Sequence, residues 1–310
     1  MNNNSILIPQ KYDYLLTGFS GFLGGIIYSK LTAAGFSVIT LGRSAVNDIS
    51  IDLAQQIPFF DKSFNTVIHA SGKAHVIPRS KVEADDFYNV NLSGTINLVR
   101  GLMKSGIIPQ CLIFISSVAV YGRDEGEQID ESYPLLGSSP YAKSKIQAEE
   151  FLINWSKQNN VLLTIMRVPL LVGKNPPGNL GAMIRMMKKG FYIGIGSGNV
   201  RKSMVLAEDV AEFIPIIKNT GGIYNLTDGV HPTMLELEHA IANQIRVKRV
   251  IRFSDAIVKF LALIGNTLGK RSPFNLAVYK KLTTSLTYSD VRARQVGWTP
   301  RQVLRNLPEL

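Results

Sequence analysis

TGFSGFLG, at residues 17–24, joins a predicted strand at residues 12–17 to an apolar helical stretch that runs to Ala34. Its glycines are spaced Gly-x-x-Gly-x-x-Gly, and a second apolar strand follows at residues 36–41. A residue without Cβ is required for a tight turn, for close approach to a pyrophosphate and for close packing of the helix on the strand. The helix N-terminus supplies amide donors to phosphates. This pattern predicts a dinucleotide-binding β-α-β unit. The cofactor-binding residues predicted in the turn are Gly18, Ser20, Gly21, Phe22, Leu23 and Gly24.

Strands and helices alternate beyond this unit, which predicts an α/β fold with a Rossmann-type, doubly wound parallel sheet. Further strands are predicted at residues 66–69, 111–115 and 162–167. The alternation breaks at the Pro- and Gly-rich residues 173–178. We therefore predict a dinucleotide-binding domain at residues 1–170 and a smaller α/β substrate-binding lobe at residues 171–310, with some segments of the lobe returning to the first domain.

The composition is that of a soluble enzyme, and we expect a cytoplasmic protein. Hydrophobic residues make up 45% of the 310, and the single cysteine excludes an intramolecular disulfide. No Cys/His cluster has metal-ligand spacing, so no metal is expected. The first residues lack the charged and apolar regions of a signal peptide, and no apolar run reaches membrane-spanning length.

The net charge of +11 requires a choice among partners. Nucleic-acid binding requires a basic stripe with exposed aromatic residues, whereas the cations here are spread thinly until the C-terminal third. We expect no nucleic-acid partner. Between Arg246 and Lys281 the cations surround the apolar stretch at residues 253–264. We expect a lobe helix that packs its apolar face while its lysines stay in water, with weak contact with an anionic membrane surface as the alternative. Binding of an anionic substrate would explain part of the excess of positive charge equally well.

The residue after the second strand bears on the choice of dinucleotide. An acidic side chain there accepts hydrogen bonds from the ribose hydroxyls of NAD, whereas this chain has Arg43 between Gly42 and Ser44. A guanidinium fits a phosphate, so NADP(H) is favoured over NAD(H), unless Arg43 is merely solvated. We expect Asp52 and Leu53 to border the adenine.

Tyr141 and Lys145 lie four residues apart and therefore on one face of a predicted helix. An ammonium beside a phenol favours the phenolate, which makes the pair a proton-transfer device, unless it is a solvated surface pair. Residues 69–72 and 116–117 each follow an apolar strand. Because the carboxyl ends of parallel strands meet at one edge, we expect both to open onto the crevice of the glycine turn.

Taken together, these segments resemble the extended short-chain dehydrogenases/reductases of the nucleotide-sugar epimerase/dehydratase family. The matching motifs are TGFSGFLG (17–24), HASG (69–72), NLSGT (91–95), SSVAVYG (116–122), YAKSK (141–145) and RVP (167–169). Weaker matches lie at 179–180, 198–203 and 296–300. The resemblance thus covers nearly the full chain, and its combined motifs are far more specific than any one of them.

The resemblance implies that Tyr141 is the acid/base at a sugar oxygen. It implies that Lys145 lowers the pKa of Tyr141 and holds the cofactor ribose. Ser117 would hydrogen-bond the same sugar oxygen, Asn91 would support the site, and Ser116 would make a hydrogen bond behind it. The remaining cofactor contacts implied are His69, Ala70, Ser71 and Val168, with His69 mainly fixing its loop.

Substrate contacts follow from the same resemblance. Arg201 would hold the pyrophosphate of the substrate, and Asn179, at a helix start, would donate to the same group. Lys73 and His75 could reach the sugar. The alternative interpretation is that Lys73 is a solvated lysine and that His75 anchors its loop.

Departures from the family pattern narrow the reaction. Family dehydratases carry Asp-Glu where this chain has Val118 and Ala119, so dehydration is not expected. Reductases that also epimerise beside the ketone carry a cysteine at the position of Ala119, whereas Cys111 begins the preceding strand and is expected in the core. What remains is oxidoreduction at a ring carbon, most often carbon 4.

Two activities at carbon 4 remain. The first is a UDP-4-keto-6-deoxy-hexosamine 4-reductase in surface-polysaccharide synthesis. It is favoured by Arg43 and by Leu170, which stands where many epimerases of the family have Asn. The alternative is a 4-epimerase of the UDP-glucose or UDP-GlcNAc type. A non-catalytic dinucleotide-binding sensor or structural protein and a steroid dehydrogenase are the other classes considered. The resemblance implies a homodimer formed through the helix of Tyr141 and its neighbouring helix.

Overall fold

The computed structural model describes residues 10–74, 76–247, 250–267 and 275–310. In chain order the strands and helices are β1 (Lys11–Thr17), α1 (Phe22–Ala33), β2 (Val38–Gly42), β3 (Ile49–Ser50), β4 (Ser63–His69), α2 (Lys81–Tyr88), α3 (Gly94–Lys104), β5 (Cys111–Ser117), β6 (Gly126–Ile129), α4 (Pro140–Asn159), β7 (Leu162–Val168), β8 (Leu170–Val172), α5 (Gly178–Lys188), β9 (Ile193–Ile195), β10 (Met204–Leu206), α6 (Ala207–Ile217), β11 (Gly222–Asn225), α7 (Met234–Gln244), β12 (Ile251–Phe253), α8 (Asp255–Thr267), α9 (Leu276–Thr283), β13 (Leu286–Tyr288) and α10 (Val291–Arg294). One π-helical turn, Asn89–Ser93, joins α2 to α3, and short 3₁₀ turns occupy Val118–Tyr121 and Leu304–Asn306.

The central feature is a seven-stranded parallel sheet with the order β11-β7-β5-β4-β1-β2-β3. The reversal of direction at β1, where the chain continues first to β2 and later to β4 on its other side, defines a doubly wound sheet. β1 is covered on both faces, and its last four side chains, from Tyr14 to Thr17, are fully buried. This confirms the predicted Rossmann-type α/β fold.

The predicted strands all occur. The strand predicted at residues 66–69 begins earlier, at Ser63, and the start of the second strand is also shifted. β2 begins at Val38 rather than at residue 36. Gly35, at φ +84°, reverses the chain after α1, and Ser37 then donates its backbone N–H and its hydroxyl to the Asp13 carboxylate, at 2.9 and 2.7 Å. These bonds hold Ser37 in the turn, so regular pairing starts one residue later.

The contacts divide the chain into two compact units. Unit 1 contains the described residues up to 117 together with 138–166 and 210–223, and unit 2 contains 118–137, 167–209 and 224–310. The chain therefore passes between the units several times. Residues 118–137 and 210–223 depart from a simple division into 1–170 and 171–310.

Each unit has its own hydrophobic core. In unit 1, side chains of α3 and α4, including Leu98, Leu102 and Leu152, pack on the sheet strands. In unit 2, α5 and α7 supply Met183, Ile184 and other apolar residues around β8 and β10. No helix among the described residues combines the length and the apolar character needed to traverse a bilayer.

Candidate active site

The glycine turn between β1 and α1 requires glycine at two positions. Gly18 has φ +80°, and a Cβ there would lie 2.6 Å from the backbone nitrogen of Ser71. A Cβ on Gly24 would lie 2.0 Å from the carbonyl oxygen of Gly18. The third glycine, Gly21, occupies the N-cap position of α1, so amide groups of the first helical turn point away from the helix body. The turn thus has the geometry that a bound pyrophosphate needs.

A cleft of about 260 Å³ lies beside this turn in unit 1. Of the predicted cofactor residues, its lining contains Gly18, Ser20, Gly21, Arg43, Asp52, Leu53, Ala70 and Ser71. It also contains Leu41, Gly42, Ile51, Ala54, Gly72 and Val90, which were not among the predicted cofactor contacts. The structure therefore brings the predicted ends of β1, β2 and β4 together around one cleft. Phe22, Leu23 and Gly24 instead form the first turn of α1, where Leu23 and Gly24 are buried.

A buried hydroxyl–imidazole network fixes the floor of this cleft. His69 Nδ1 lies 2.7 Å from the Thr17 hydroxyl, and Nε2 lies 2.9 Å from the Thr95 hydroxyl. The Thr17 hydroxyl also lies 3.0 Å from that of Ser71. Burial, with Lys145 nearby, lowers the pKa of His69 to about 3, so the imidazole is neutral. His69 therefore acts through its hydrogen bonds, holding the loop after β4 against β1.

Arg43 and Asp52 lie at different points along the cleft wall. Arg43 directly follows β2 and is exposed, and within the described residues its guanidinium has no ion-pair partner. The Asp52 carboxylate accepts a hydrogen bond from the backbone N–H of Ala54 at 3.0 Å. Asp52 is therefore partly committed to its own turn, whereas the Arg43 charge remains available at the cleft.

Tyr141 lies in the first turn of α4 because the helix start is well defined. Ser139 caps the helix by accepting the Ala142 N–H, and Pro140 follows at the first helical position. Ser117, the last residue of β5, hydrogen-bonds to the Tyr141 hydroxyl. The predicted serine and tyrosine are thus brought together in unit 1.

The pKa of Tyr141 is raised from its ordinary value of 10.0. Burial is the larger effect, and the hydrogen bond with Ser117 acts in the opposite direction. In this structure the net direction is opposite to the lowering by Lys145 that the family resemblance implied. The Lys145 ammonium makes other contacts.

Lys145 is buried one helical turn after Tyr141. Its ammonium donates to the carbonyl oxygen of Ile115 at 2.9 Å and lies 4.5 Å from the centre of the Phe114 ring. Burial lowers its pKa to about 8, while Glu149 acts to raise it. The cation is therefore anchored to β5, with its protonation poised close to neutral pH.

Glu149 is a site residue that the sequence analysis missed. It follows Lys145 by one more helical turn, is fully buried and accepts a hydrogen bond from the Ser116 hydroxyl. The available signal was the spacing: Tyr141, Lys145 and Glu149 are each four residues apart and share one helix face. The hydrogen-bonding role predicted for Ser116 behind the site is compatible with this contact.

Asn91 connects the loop after β4 to α4. It is buried in the π-helical turn, and its side chain accepts from the Lys73 N–H at 2.7 Å and donates to the Ser144 hydroxyl at 2.9 Å. A Cβ on Gly72 would lie 3.1 Å from the Asn91 Oδ1 and 3.3 Å from the Lys145 Nζ. Asn91 thus holds the loop close to the Lys145 ammonium.

Lys73, His75 and Val168 are three further predicted residues. Lys73 forms an ion pair of 2.8 Å with Asp86, and His75 lies outside the described residues. Val168 is buried at the end of β7.

The two predicted diphosphate contacts, Asn179 and Arg201, both belong to unit 2. Asn179 is the exposed second residue of α5, and Arg201 is exposed, with its guanidinium donating to the carbonyl oxygen of His231 at 3.0 Å. Among the side chains that the structure describes, no group of three or more potential ligands could hold a metal ion.

Known proteins that are similar to this chain point to one family. The family model of the NAD dependent epimerase/dehydratase family matches residues 14–227. An Escherichia coli O157:H7 N-acetyl-alpha-D-glucosaminyl-diphospho-ditrans,octacis-undecaprenol 4-epimerase is 29% identical over 74% of this chain and 70% of its own. A Vibrio cholerae UDP-glucose 4-epimerase is 26% identical over 94% of this chain and 92% of its own. Among solved structures, the Thermus thermophilus UDP-glucose 4-epimerase in complex with NAD superposes with a TM-score of 0.69 at 23% identity, covering 93% of this chain and 94% of the other.

The chain belongs to the NAD-dependent epimerase/dehydratase family. It is an extended short-chain dehydrogenase/reductase, and it is an enzyme. The resemblance drawn from the sequence motifs is confirmed.

Proposed function

We propose that this enzyme uses a nicotinamide dinucleotide to oxidise and reduce carbon 4 of a UDP-linked sugar, as a UDP-sugar 4-epimerase. The observation that carries the proposal is the half-buried Tyr141, hydrogen-bonded to Ser117 and one helical turn before the buried Lys145. The named activities of the E. coli and V. cholerae relatives, both 4-epimerases, support the choice of reaction.

Each residue of this group would have a distinct role. Tyr141 would accept the proton of the sugar hydroxyl during oxidation and return it during reduction. Ser117, already bonded to the Tyr141 hydroxyl, would orient the same sugar oxygen. Lys145, held by the Ile115 carbonyl, would favour the phenolate electrostatically during the transfer.

The residues of unit 1 fit a dinucleotide. The Cβ-free turn at Gly18 and Gly24 and the start of α1 would hold the pyrophosphate, and Asp52 and Leu53 would border the adenine. When bound, the nicotinamide supplies the two-electron step, and the protein manages one proton. The exposed Arg43 at the cleft supports NADP(H) over NAD(H) as the preferred form.

The substrate would be held through its diphosphate. Arg201 and Asn179, both exposed in unit 2, offer a guanidinium and a helix N-terminus, two kinds of group that bind phosphate oxygens. Lys73 and His75 stay predictions as sugar contacts. Homodimer formation through α4 also stays a prediction.

A 4-reductase for a UDP-4-keto-6-deoxy sugar is the second candidate. The observations that favour it are Arg43, because a reductase binds and releases NADPH, and Leu170, where many epimerases have Asn. The Val118 and Ala119 side chains offer no acid or base for dehydration in either case.

The test is an activity assay with the purified enzyme. With a UDP-hexose or UDP-N-acetylhexosamine, an epimerase interconverts the two carbon-4 epimers without net change in nicotinamide absorbance. With NADPH and a UDP-4-keto-6-deoxy-hexosamine, a reductase consumes the absorbance in proportion to substrate. If the enzyme catalysed neither reaction with any UDP-sugar of these types, the proposed function would be contradicted.

A further inference from the structure

Helix α8 is apolar around almost its whole circumference. Val258, Ala262 and Gly265 form the stripe that packs on unit 2. Its other large apolar side chains are exposed, by 43% to 63%. They are Ile257, Phe260, Leu261, Leu263 and Ile264. The helix therefore does not simply bury its apolar face, as expected from the sequence, because it has a second apolar face in water.

The strand that leads into α8 extends this exposure. Ile251, the first residue of β12, pairs in register with Ile193 of β9. Both side chains are exposed, and so is Phe191, which precedes β9. We call the exposed apolar side chains of α8, β12 and residues 191–193 the α8 surface.

Positive charge is concentrated in the sequence segment that contains α8. Residues 246–281 contain nine of the 34 Lys and Arg residues of the chain but only one of its 23 Asp and Glu residues. The single acid, Asp255, lies in the first turn of α8, where the helix dipole favours it. Lys259 is exposed on the helix itself.

Several of these cations have partners. Arg252 pairs with the buried Glu238, and Lys280 and Lys281 approach Glu125 and Asp124 at 3.0 and 3.3 Å. The ion pairs of Lys280 and Lys281 are exposed and therefore weak, so they do not cancel the attraction of the segment for an extended anionic surface.

We propose that the α8 surface binds peripherally to an anionic lipid bilayer, with the apolar side chains of α8 entering the interface and the exposed Lys259 of the same helix interacting with the headgroups. A helix with exposed apolar residues and flanking cations has the two features that interfacial binding requires. A second copy of the chain fits this surface poorly, because two segments that each contain nine cations and one acid would repel one another. The inference does not depend on the proposed catalytic function.

The test measures co-sedimentation of the full chain with vesicles. We expect binding to vesicles of equal parts phosphatidylglycerol and phosphatidylcholine, and little binding to phosphatidylcholine alone. Salt should weaken the binding, because ions screen the attraction between cations and headgroups. The double variant F260S/I264S should bind at least tenfold less tightly. Phe59→Ser is the matched control, because Phe59 is exposed by 69% but belongs to unit 1.

A Phe260→Trp variant reports insertion directly. Both native tryptophans, Trp155 and Trp298, are buried and give a constant background. We expect the emission of the new indole to shift to shorter wavelength with the anionic vesicles only.

Three results would overturn the proposal: no binding to anionic vesicles, binding equal for F260S/I264S and the native chain, or an unshifted indole emission from the Phe260→Trp variant. If sedimentation velocity instead showed that F260S/I264S breaks a dimer in the absence of lipid, the α8 surface would be a protein interface and the bilayer proposal would fail. Thermal unfolding of each variant establishes that it is folded.

Discussion

At the residue scale, one hydroxyl carries the proposed proton transfer. In Tyr141→Phe we expect kcat to fall by about 10²- to 10⁴-fold, because no other group would take the sugar proton. Dinucleotide affinity should change little, since the cleft by the glycine turn is intact. Steady-state rates and fluorescence titration measure the two effects. Tyr28→Phe, on α1 of the same unit, is the control and should retain full activity.

We expect Arg43 to set which dinucleotide is preferred. In Arg43→Asp the kcat/KM ratio of NADPH to NADH should fall by about 10- to 100-fold, the range expected from a lost hydrogen bond between charged groups. Kinetics with both cofactors measure it. Arg100→Asp changes an exposed arginine of unit 1 outside the cleft and should leave the ratio as it is. If both variants keep the native ratio, Arg43 is merely solvated.

We expect Glu149 to influence activity through Lys145. The pKa of the Lys145 ammonium is about 8, so its charge is lost as the pH rises through that value. Glu149 acts to raise this pKa, and Glu149→Gln removes that effect while keeping the side-chain shape. We expect the alkaline fall of kcat to begin at lower pH, by about one pH unit, the shift expected from about 1.4 kcal/mol of lost interaction.

The pH–rate profile of Glu149→Gln is compared with that of Glu150→Gln, whose side chain is exposed on the next position of α4. An identical alkaline limb in all three proteins would mean that Glu149 only supports the packing of Ser116.

At the element scale, the β1-turn-α1 unit depends on close backbone packing. A Cβ on Gly24 would lie 2.0 Å from the Gly18 carbonyl oxygen, so Gly24→Ala must displace the turn. We expect the free energy of unfolding to fall by about 1–3 kcal/mol, as in other overpacked sites, and dinucleotide affinity to fall with it. Denaturant titration and cofactor binding measure these losses.

The neighbouring Gly25 provides the matched control. A Cβ there would lie 3.4 Å from the Phe19 carbonyl oxygen, an ordinary contact. Gly25→Ala should therefore be neutral or slightly stabilising, because alanine is the better helix former. Equal destabilisation by both variants would contradict the packing argument at Gly24.

The glycine turn and the strands and helices around it could largely be predicted from the sequence. The glycine spacing, the alternation of strand and helix and the motif order predicted the doubly wound sheet and the cleft-lining residues of β1, β2 and β4. The contact of Glu149 with Ser116 was not predicted, because it joins positions 33 residues apart that meet only when α4 packs beside β5. The apolar stretch at residues 253–264 was visible in the sequence, but which of its side chains stay exposed depends on how α8 packs.

At the scale of the whole molecule, the substrate proposal involves unit 2. UDP without a sugar should raise the melting temperature, because a ligand at 100 times its Kd stabilises the folded state by about 2.7 kcal/mol. Arg201→Ala should abolish the shift, whereas Arg305→Ala, an exposed arginine of the same unit, should keep it. Differential scanning fluorimetry measures the effect. A native chain indifferent to UDP would contradict a UDP-sugar substrate and would fit a steroid or other apolar alcohol.

The sequence by itself determined the fold class and the family, because both depend on local requirements: glycine where a Cβ cannot fit, apolar strands buried on two faces, and a tyrosine and lysine one helical turn apart. Only the tertiary structure decided how the charges of the site are held. The burial of Tyr141 and Lys145, the carboxylate of Glu149 and the exposure of α8 all depend on which surfaces the folded chain covers. Desolvation shifts the pKa values of Tyr141 and Lys145, and incomplete packing leaves much of α8 exposed. Both depend on how the chain packs, which no stretch of sequence carries alone.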